Sequence, residues 1–281
     1  MRPTGAQADE LRTHEVGMVD GLGFHLDDRD YAHYLIADLD LEAQLIAIRA
    51  IIARNAAAAK DASDQIDKMA EWARQSKGRV SDHATDLWVD EMHASVYSDA
   101  AASMAALGMF APLIESIFTH TFRALHRMYR SSETPFPAHE RWTRLPEEMI
   151  DRWSANIYVD VEAARTDLPA GIKQLSHAVG LSKFITKSDF RLVNALLNYR
   201  NRMFHMGFEW PLEDRQKFEK LVNQNRWETF FTSSRHGNEP WIFYLTDSTV
   251  DGLPDWVDEL ITKIGLFARS LPRDLLSGSV E

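Results

Sequence analysis

The sequence predicts an all-α fold, an antiparallel helical bundle with a long N-terminal helix and one small β-hairpin near residues 227–246. Three observations predict it. Apolar residues recur at steps of three and four through most of the chain, the mark of helices with one buried face. Gly and Pro are absent from Phe24 to Lys77, so nothing interrupts the first periodic stretch. Strand-forming aromatics gather around a turn only after Arg226.

Residues 1–26 show no clear period and are expected to form an N-terminal arm. Residues 27–80 form a long helical segment, as one helix or two nearly collinear ones. Its seam runs through Tyr31, Tyr34, Leu41, Leu45, Ile48, Ile52, Ala59, Ala62, Ile66, Met69 and Ala73. Asp27 or Asp28 is the expected N-cap and Gly78 the expected stop. Asn55 falls on the seam, where a polar residue sets register more often than it performs chemistry. Residues 81–226 are the expected helical core. It begins with a long helix from Asp82 to Arg130, kinked at Pro112. Pro135, Pro137 and Pro146 mark a loop at 131–146, and helices are expected near 146–165, 170–180, 187–206 and 211–225. In residues 227–281, Trp227, Phe230 and Phe231 and then Trp241, Phe243 and Leu245 flank the turn-like His236-Gly237-Asn238, giving the hairpin. A last helix near 253–270 packs with it on the core.

Composition narrows the function. The 281 residues are 45% apolar and 26% charged, ordinary globular values for one large domain or two small ones. There are 42 acids against 31 bases, a net charge of −11. That excludes a general polyanion binder, whose affinity comes from positive charge, but allows a local basic site. Cysteine is absent, which removes disulfides, thiol catalysis and thiolate metal sites. The longest uncharged run, Ala100 to Ile114, has 15 residues, short of the about 20 needed to span a bilayer. Met1 to Glu10 carry no apolar stretch. The expectation is a soluble cytoplasmic protein with no membrane partner.

The informative segment is Asn198-Tyr199-Arg200-Asn201-Arg202-Met203-Phe204-His205-Met206-Gly207-Phe208-Glu209-Trp210-Pro211. On a helical wheel Phe190, Val193, Leu196, Leu197 and Phe204 share one arc, with Arg200 at its middle. Asn194, Asn198, Asn201 and His205 form a polar strip along one edge, with Arg191 and Arg202 just outside. A cation centred on an apolar arc has to snorkel, pair with a buried acid, or meet a ligand or second subunit. One reading is a structural ion pair with Glu115 or a dimer-interface arginine; the other is an anion site. His205 is either a helix-end residue or an acid–base group oriented by Asn201, one turn earlier. Gly207 is the expected C′ residue and Pro211 the expected start of the next helix.

The spacing Arg200-Asn201-x3-His205, late in an apolar helix, resembles the signature of the HEPN superfamily. The string from Tyr199 to Pro211 and the earlier Pro112-Leu113-Ile114-Glu115-Ser116-Ile117-Phe118 strengthen the resemblance, which covers residues 85–225. It implies an all-helical homodimer with motif helices facing, and a metal-independent endoribonuclease using no cofactor. RNA is the implied substrate. Arg200 and His205 are the implied catalytic residues, with Asn201 supporting and Arg202, Tyr199 and Glu115 as substrate-side candidates. Toxin or phage-defence roles, with an antitoxin partner, are implied in the same way. His205 suits acid–base work because its ordinary pKa of about 6.5 lies near neutrality. Arg200 suits a phosphate, which it can meet through two parallel donors. Charge agrees locally: 187–226 and 116–145 are each +3 by residue count, 8 bases less 5 acids and 5 less 2. Two alternatives stand beside this. One is a non-catalytic dimer of the same class that binds a nucleotide or protein. The other is a metal bundle built from Asp30/His33 and Asp90/His93, although di-metal bundles use Glu-x-x-His with further Glu.

Overall fold

The structure, a computed structural model, describes residues 26–37, 39–144, 152–161 and 163–277. The expected arm lies, except for Leu26, outside the described residues. The chain forms α1 (Asp28–Ile36), α2 (Leu41–Gln75), α3 (Arg79–Ser131), α4 (Glu140–Arg144), β1 (Ile157–Val159), β2 (Ala164–Thr166), α5 (Leu168–Val179), α6 (Lys187–Met206), α7 (Leu212–Asn225), β3 (Phe231–His236), β4 (Glu239–Leu245), α8 (Asp247–Arg269) and α9 (Arg273–Ser277). Among the described residues it is thus mostly helical, with two small antiparallel strand pairs, β1–β2 and β3–β4.

The first helical segment is two helices. Asp27 caps α1 through a capping box with Asp30, and the backbone restarts at Asp40, whose carboxylate caps α2 by accepting from the Ala43 amide at 3.0 Å. The break lets α1 turn onto α8, where Gly265 admits the Asp28 carbonyl at a distance no Cβ would tolerate. Gly78 is where α3 starts, with φ +63, rather than where α2 stops; α2 closes at Ser76. The helices α2 and α3 form a hairpin whose base is buried through Leu45, Ile48, Ile52 and Ala100. Beyond Ile52 the seam is open: Ala59 and Ala62 are exposed, and Ile66, Met69 and Ala73 are half-covered by α3 alone.

The rest of α3 is the spine of the core. Leu107, Phe110, Ala111, Ile114, Ile117, Phe118, Phe122 and Leu125 repeat at helical spacing and are fully buried. Pro112 lies inside α3, and the helix continues through it. The helices α1, α6, α8 and α9 and the hairpin strand β4 pack against this spine. An aromatic cluster of Tyr199, Trp210, Phe218, Phe231 and Phe243 joins α6, α7 and the β3–β4 hairpin, with ring centroids 4.9–5.9 Å apart.

The helix expected near 146–165 is not formed where the chain is described. Residues 157–159 and 164–166 are instead β1 and β2, in register Ile157↔Thr166 and Val159↔Ala164. The last helix starts at Asp247, six residues earlier than expected, behind the Thr246 cap.

Candidate functional site

Helix α6 carries the motif. Thr186 and Asp189 form a capping box at its start, and Gly207, at φ +72, closes its end by donating its N–H to the Met203 carbonyl. Pro211 then caps α7. Phe190, Val193, Leu196, Leu197, Tyr199 and Met203 turn inward and are buried. That orientation leaves Arg200 at the edge of the buried face, with its side chain 31% exposed.

Arg200 is held from two sides. Its Nη2 lies 3.6 Å from the Glu115 Oε2 on α3, and its Nη1 donates to the Asn201 Oδ1 at 3.2 Å. The expected pairing with Glu115 is present, and the pair is a third exposed rather than sealed in the core. All three side chains line one open cleft of about 1220 Å³. Helix α6 forms one wall, through Lys187, Arg191, Asn194 and Asn198. The start of α5, the turn before α6 and the end of α7 form the others. Six cations line the cleft (Lys173, Lys183, Lys187, Arg191, Arg200, Arg226) against two carboxylates, Glu115 and Asp167. The cleft is therefore net positive in a chain of net charge −11.

His205 is elsewhere. It is exposed, is not among the cleft residues, and makes no hydrogen bond or ion pair with the described residues. On the wheel it continues the Asn194, Asn198 and Asn201 strip that walls the cleft, but it stands one turn beyond Asn201, where the α6 lining ends; from Arg200 it is about 140° around the helix. Asn201 turns to Arg200, not to the imidazole as expected. Phe204, placed on the apolar arc by the wheel, is half-exposed and faces Gly108 of α3.

Two substrate-side candidates are structural. Tyr199 is fully buried and donates its hydroxyl to the Phe243 carbonyl at 2.5 Å. Burial pushes its pKa far above the ordinary phenol value. Arg202 lies outside the cleft, over the Phe218 ring at 5.2 Å, with Nη1 on the Asn198 carbonyl at 3.2 Å. Burial lowers its pKa. Both belong to the support of the motif helix.

Sequence reading missed Lys173, His177, Lys183, Arg226 and Trp227, which reach the cleft from three other elements. The local signal was the polar strip of Asn194, Asn198, Asn201 and His205 with Arg191 and Arg202 beside it, of which His205 and Arg202 do not reach the cleft. It also missed a latch beside the motif turn. Glu209 accepts from the Tyr97 hydroxyl at 2.5 Å and the Trp241 Nε1 at 2.8 Å. These two bonds hold its carboxyl below the usual range and tie the turn to α3 and β4.

Among the described residues no three His, Asp or Glu side chains converge as metal ligands. Asp30 is committed to capping α1, accepting from the Asp27 amide at 2.8 Å. His93 lies edge-on to Trp241 at 5.9 Å. Helix α3 is long and apolar enough to cross a membrane, and half of its most apolar window is buried within the protein. No protein-family model, curated protein or solved structure matches the chain.

Proposed function

We propose that this chain is an endoribonuclease that cleaves by attack of the 2′-OH, with Arg200 on the scissile phosphate and His205 in acid–base work. The observation that carries the reading is Arg200, fixed by Glu115 and Asn201 at the edge of a net-positive cleft. In the reaction a base takes the 2′-OH proton, the 2′-oxygen bonds to phosphorus, and the bond to the 5′-oxygen breaks as that oxygen gains a proton. The products are a 2′,3′-cyclic phosphate and a 5′-OH. Arg200 neutralises the phosphorane through its paired donors. The imidazole must reach the same phosphate, and the His205 of the same chain lies outside the cleft, one turn past its α6 wall. A second copy with its motif helix facing the first supplies the missing imidazole, so the reading requires a homodimer. Toxin or phage-defence roles and a neutralising partner rest on the motif alone.

Labelled RNA incubated with purified protein in chelator tests this. His205→Ala and Arg200→Ala each lower the cleavage rate about 10²- to 10⁴-fold with unchanged circular dichroism. Mixing the two variants restores cleavage if the site is shared between copies. The separation of His205 from the cleft favours a second reading, a non-catalytic nucleotide-binding helical protein. It predicts Arg200-dependent binding, no cleavage, and no effect of His205→Ala.

A further inference from the structure

We infer that the cleft holds a single strand of RNA several nucleotides long. Its backbone runs from Arg200 to Lys183, Lys187 and Arg226, and one base stacks on His177. The inference rests on the ribonuclease reading for the Arg200 end and adds the substrate's length and path.

Both carboxylates in the cleft are engaged. Glu115 faces Arg200 at 3.6 Å. Asp167 caps α5 by accepting from the Ala170 amide at 3.1 Å and faces Arg165 at 3.6 Å. The remaining cations, Lys173, Lys183, Lys187, Arg191 and Arg226, have no carboxylate within ion-pair reach among the described residues. Unpaired cations spread along a groove suit repeated phosphates better than one anion. Lys187 and Arg200 are thirteen residues apart on one helix, which separates their backbones by about 20 Å. The volume of about 1220 Å³ exceeds the roughly 300–1,000 Å³ of pockets shaped for one small molecule, and those are mainly apolar.

Two further features point to a ligand of this class. The Trp227 Nε1 and the Arg191 Nε are buried donors of two cleft-lining residues, with no acceptor among the described residues; sugar and phosphate oxygens are acceptors. His177 is exposed and lies nearly parallel on Phe190, centroids 6.2 Å apart at 20°. An aromatic ring backed by a buried one is a stacking platform for a base of any identity.

The test is fluorescence anisotropy with a labelled ten-nucleotide single-stranded RNA across a salt series, in the His205→Ala background so that cleavage does not deplete the probe. The Lys183→Gln/Lys187→Gln/Arg226→Gln variant changes three exposed side chains. It should bind at least tenfold more weakly at low salt, with the slope of log K against log salt shallower by about 2, from about 0.7 per lost phosphate contact. The same charge change at Lys60, Lys68 and Lys77 on the α2–α3 hairpin should leave both values unchanged. His177→Ala should weaken binding about tenfold, and His177→Phe should restore it. Unchanged affinity and slope in the cleft variant, or an equal loss in the hairpin variant, overturns the inference. Binding is read without cleavage, so an inactive wild type that still shows the slope change sinks the ribonuclease reading alone.

Discussion

Asp189, on the first turn of α6, is buried and yet charged. Its Oδ2 accepts from the Thr186 amide and hydroxyl, both at 2.7 Å, and from the Lys263 Nζ at 2.9 Å. Its Oδ1 accepts from the Trp256 Nε1 at 3.0 Å. Burial alone would raise its pKa, but the bonds from Lys263, Thr186 and Trp256 outweigh it and hold the carboxyl below its usual range. For Lys263 burial works downward, and the bonds to Asp189 and Glu259 prevail upward. The signs follow from linkage. The depressed carboxylate contributes stability above its unfolded pKa of about 3.9, and loses it as pH falls through its lower folded value. The raised ammonium contributes below its unfolded value of about 10.4, and loses it as pH rises through its higher folded value. Asp189→Asn leaves the ammonium facing a neutral amide and should cost about 3 kcal/mol at pH 7. The gap from wild type should narrow below pH 4, as urea denaturation at several pH values would show. A gap that stays constant down to pH 2 would mean that the ion pair contributes nothing.

At the scale of elements, α6 and α7 were legible because their information is local. A period of 3.6, Gly207 past the end and Pro211 before the next start fix both helices within a residue or two. The β3–β4 hairpin was legible for the same reason, through Gly237 at φ +61 and the aromatics on either side. The strand pair β1–β2 was not, because distant side chains hold it. Arg141, fully buried, donates to the carbonyls of Arg152, Ser154 and Ile157 at 2.6–2.8 Å. Gln174 brackets Val159, accepting from its amide at 3.0 Å and donating to its carbonyl at 2.7 Å. Partners 11 to 16 residues away leave no periodic trace. The candidate site divides in the same way. Arg200, Asn201 and Glu115 were legible from the motif and the apolar arc, whereas His177, Lys183 and Arg226 meet the cleft only through the packing of α5 and α7 on α6. The seat of the 155–157 backbone on α5 requires Gly171, where a Cβ would collide with the Ala155 carbonyl oxygen and lie 2.9 Å from that of Ile157. Backbone cannot swing aside as a side chain can, so Gly171→Ala should lower stability by about 3 kcal/mol. A Tm within a degree of wild type would contradict the close approach.

Across the whole molecule, packing density is uneven. The spine of α3, with α1, α6 and α8 around it, buries apolar side chains on several fronts, whereas the outer hairpin is covered mainly by itself, with His93 against Trp241 of β4 as a contact beyond it. From about residue 56 of α2 to residue 96 of α3, the two helices are covered mainly by each other, and Trp72, Val80, Leu87 and Met92 remain exposed. Two helices in mutual contact cannot enclose a core, so the free energy of opening there must fall well below that of the spine. No residue of this stretch lines the cleft, and its opening need not disturb Arg200. Native-state hydrogen exchange should therefore divide the protein in two. Amides at 56–96 should exchange through low-energy openings, while those of α6, α8 and residues 105–128 of α3 are protected up to the free energy of global unfolding. Denaturant just below the transition should leave the first group's exchange nearly unchanged and accelerate the second, because only the second opens by exposing large apolar surface. Equal protection in both groups would mean that the outer hairpin is packed against something as extensive as the spine, and the division drawn from its exposure would be wrong.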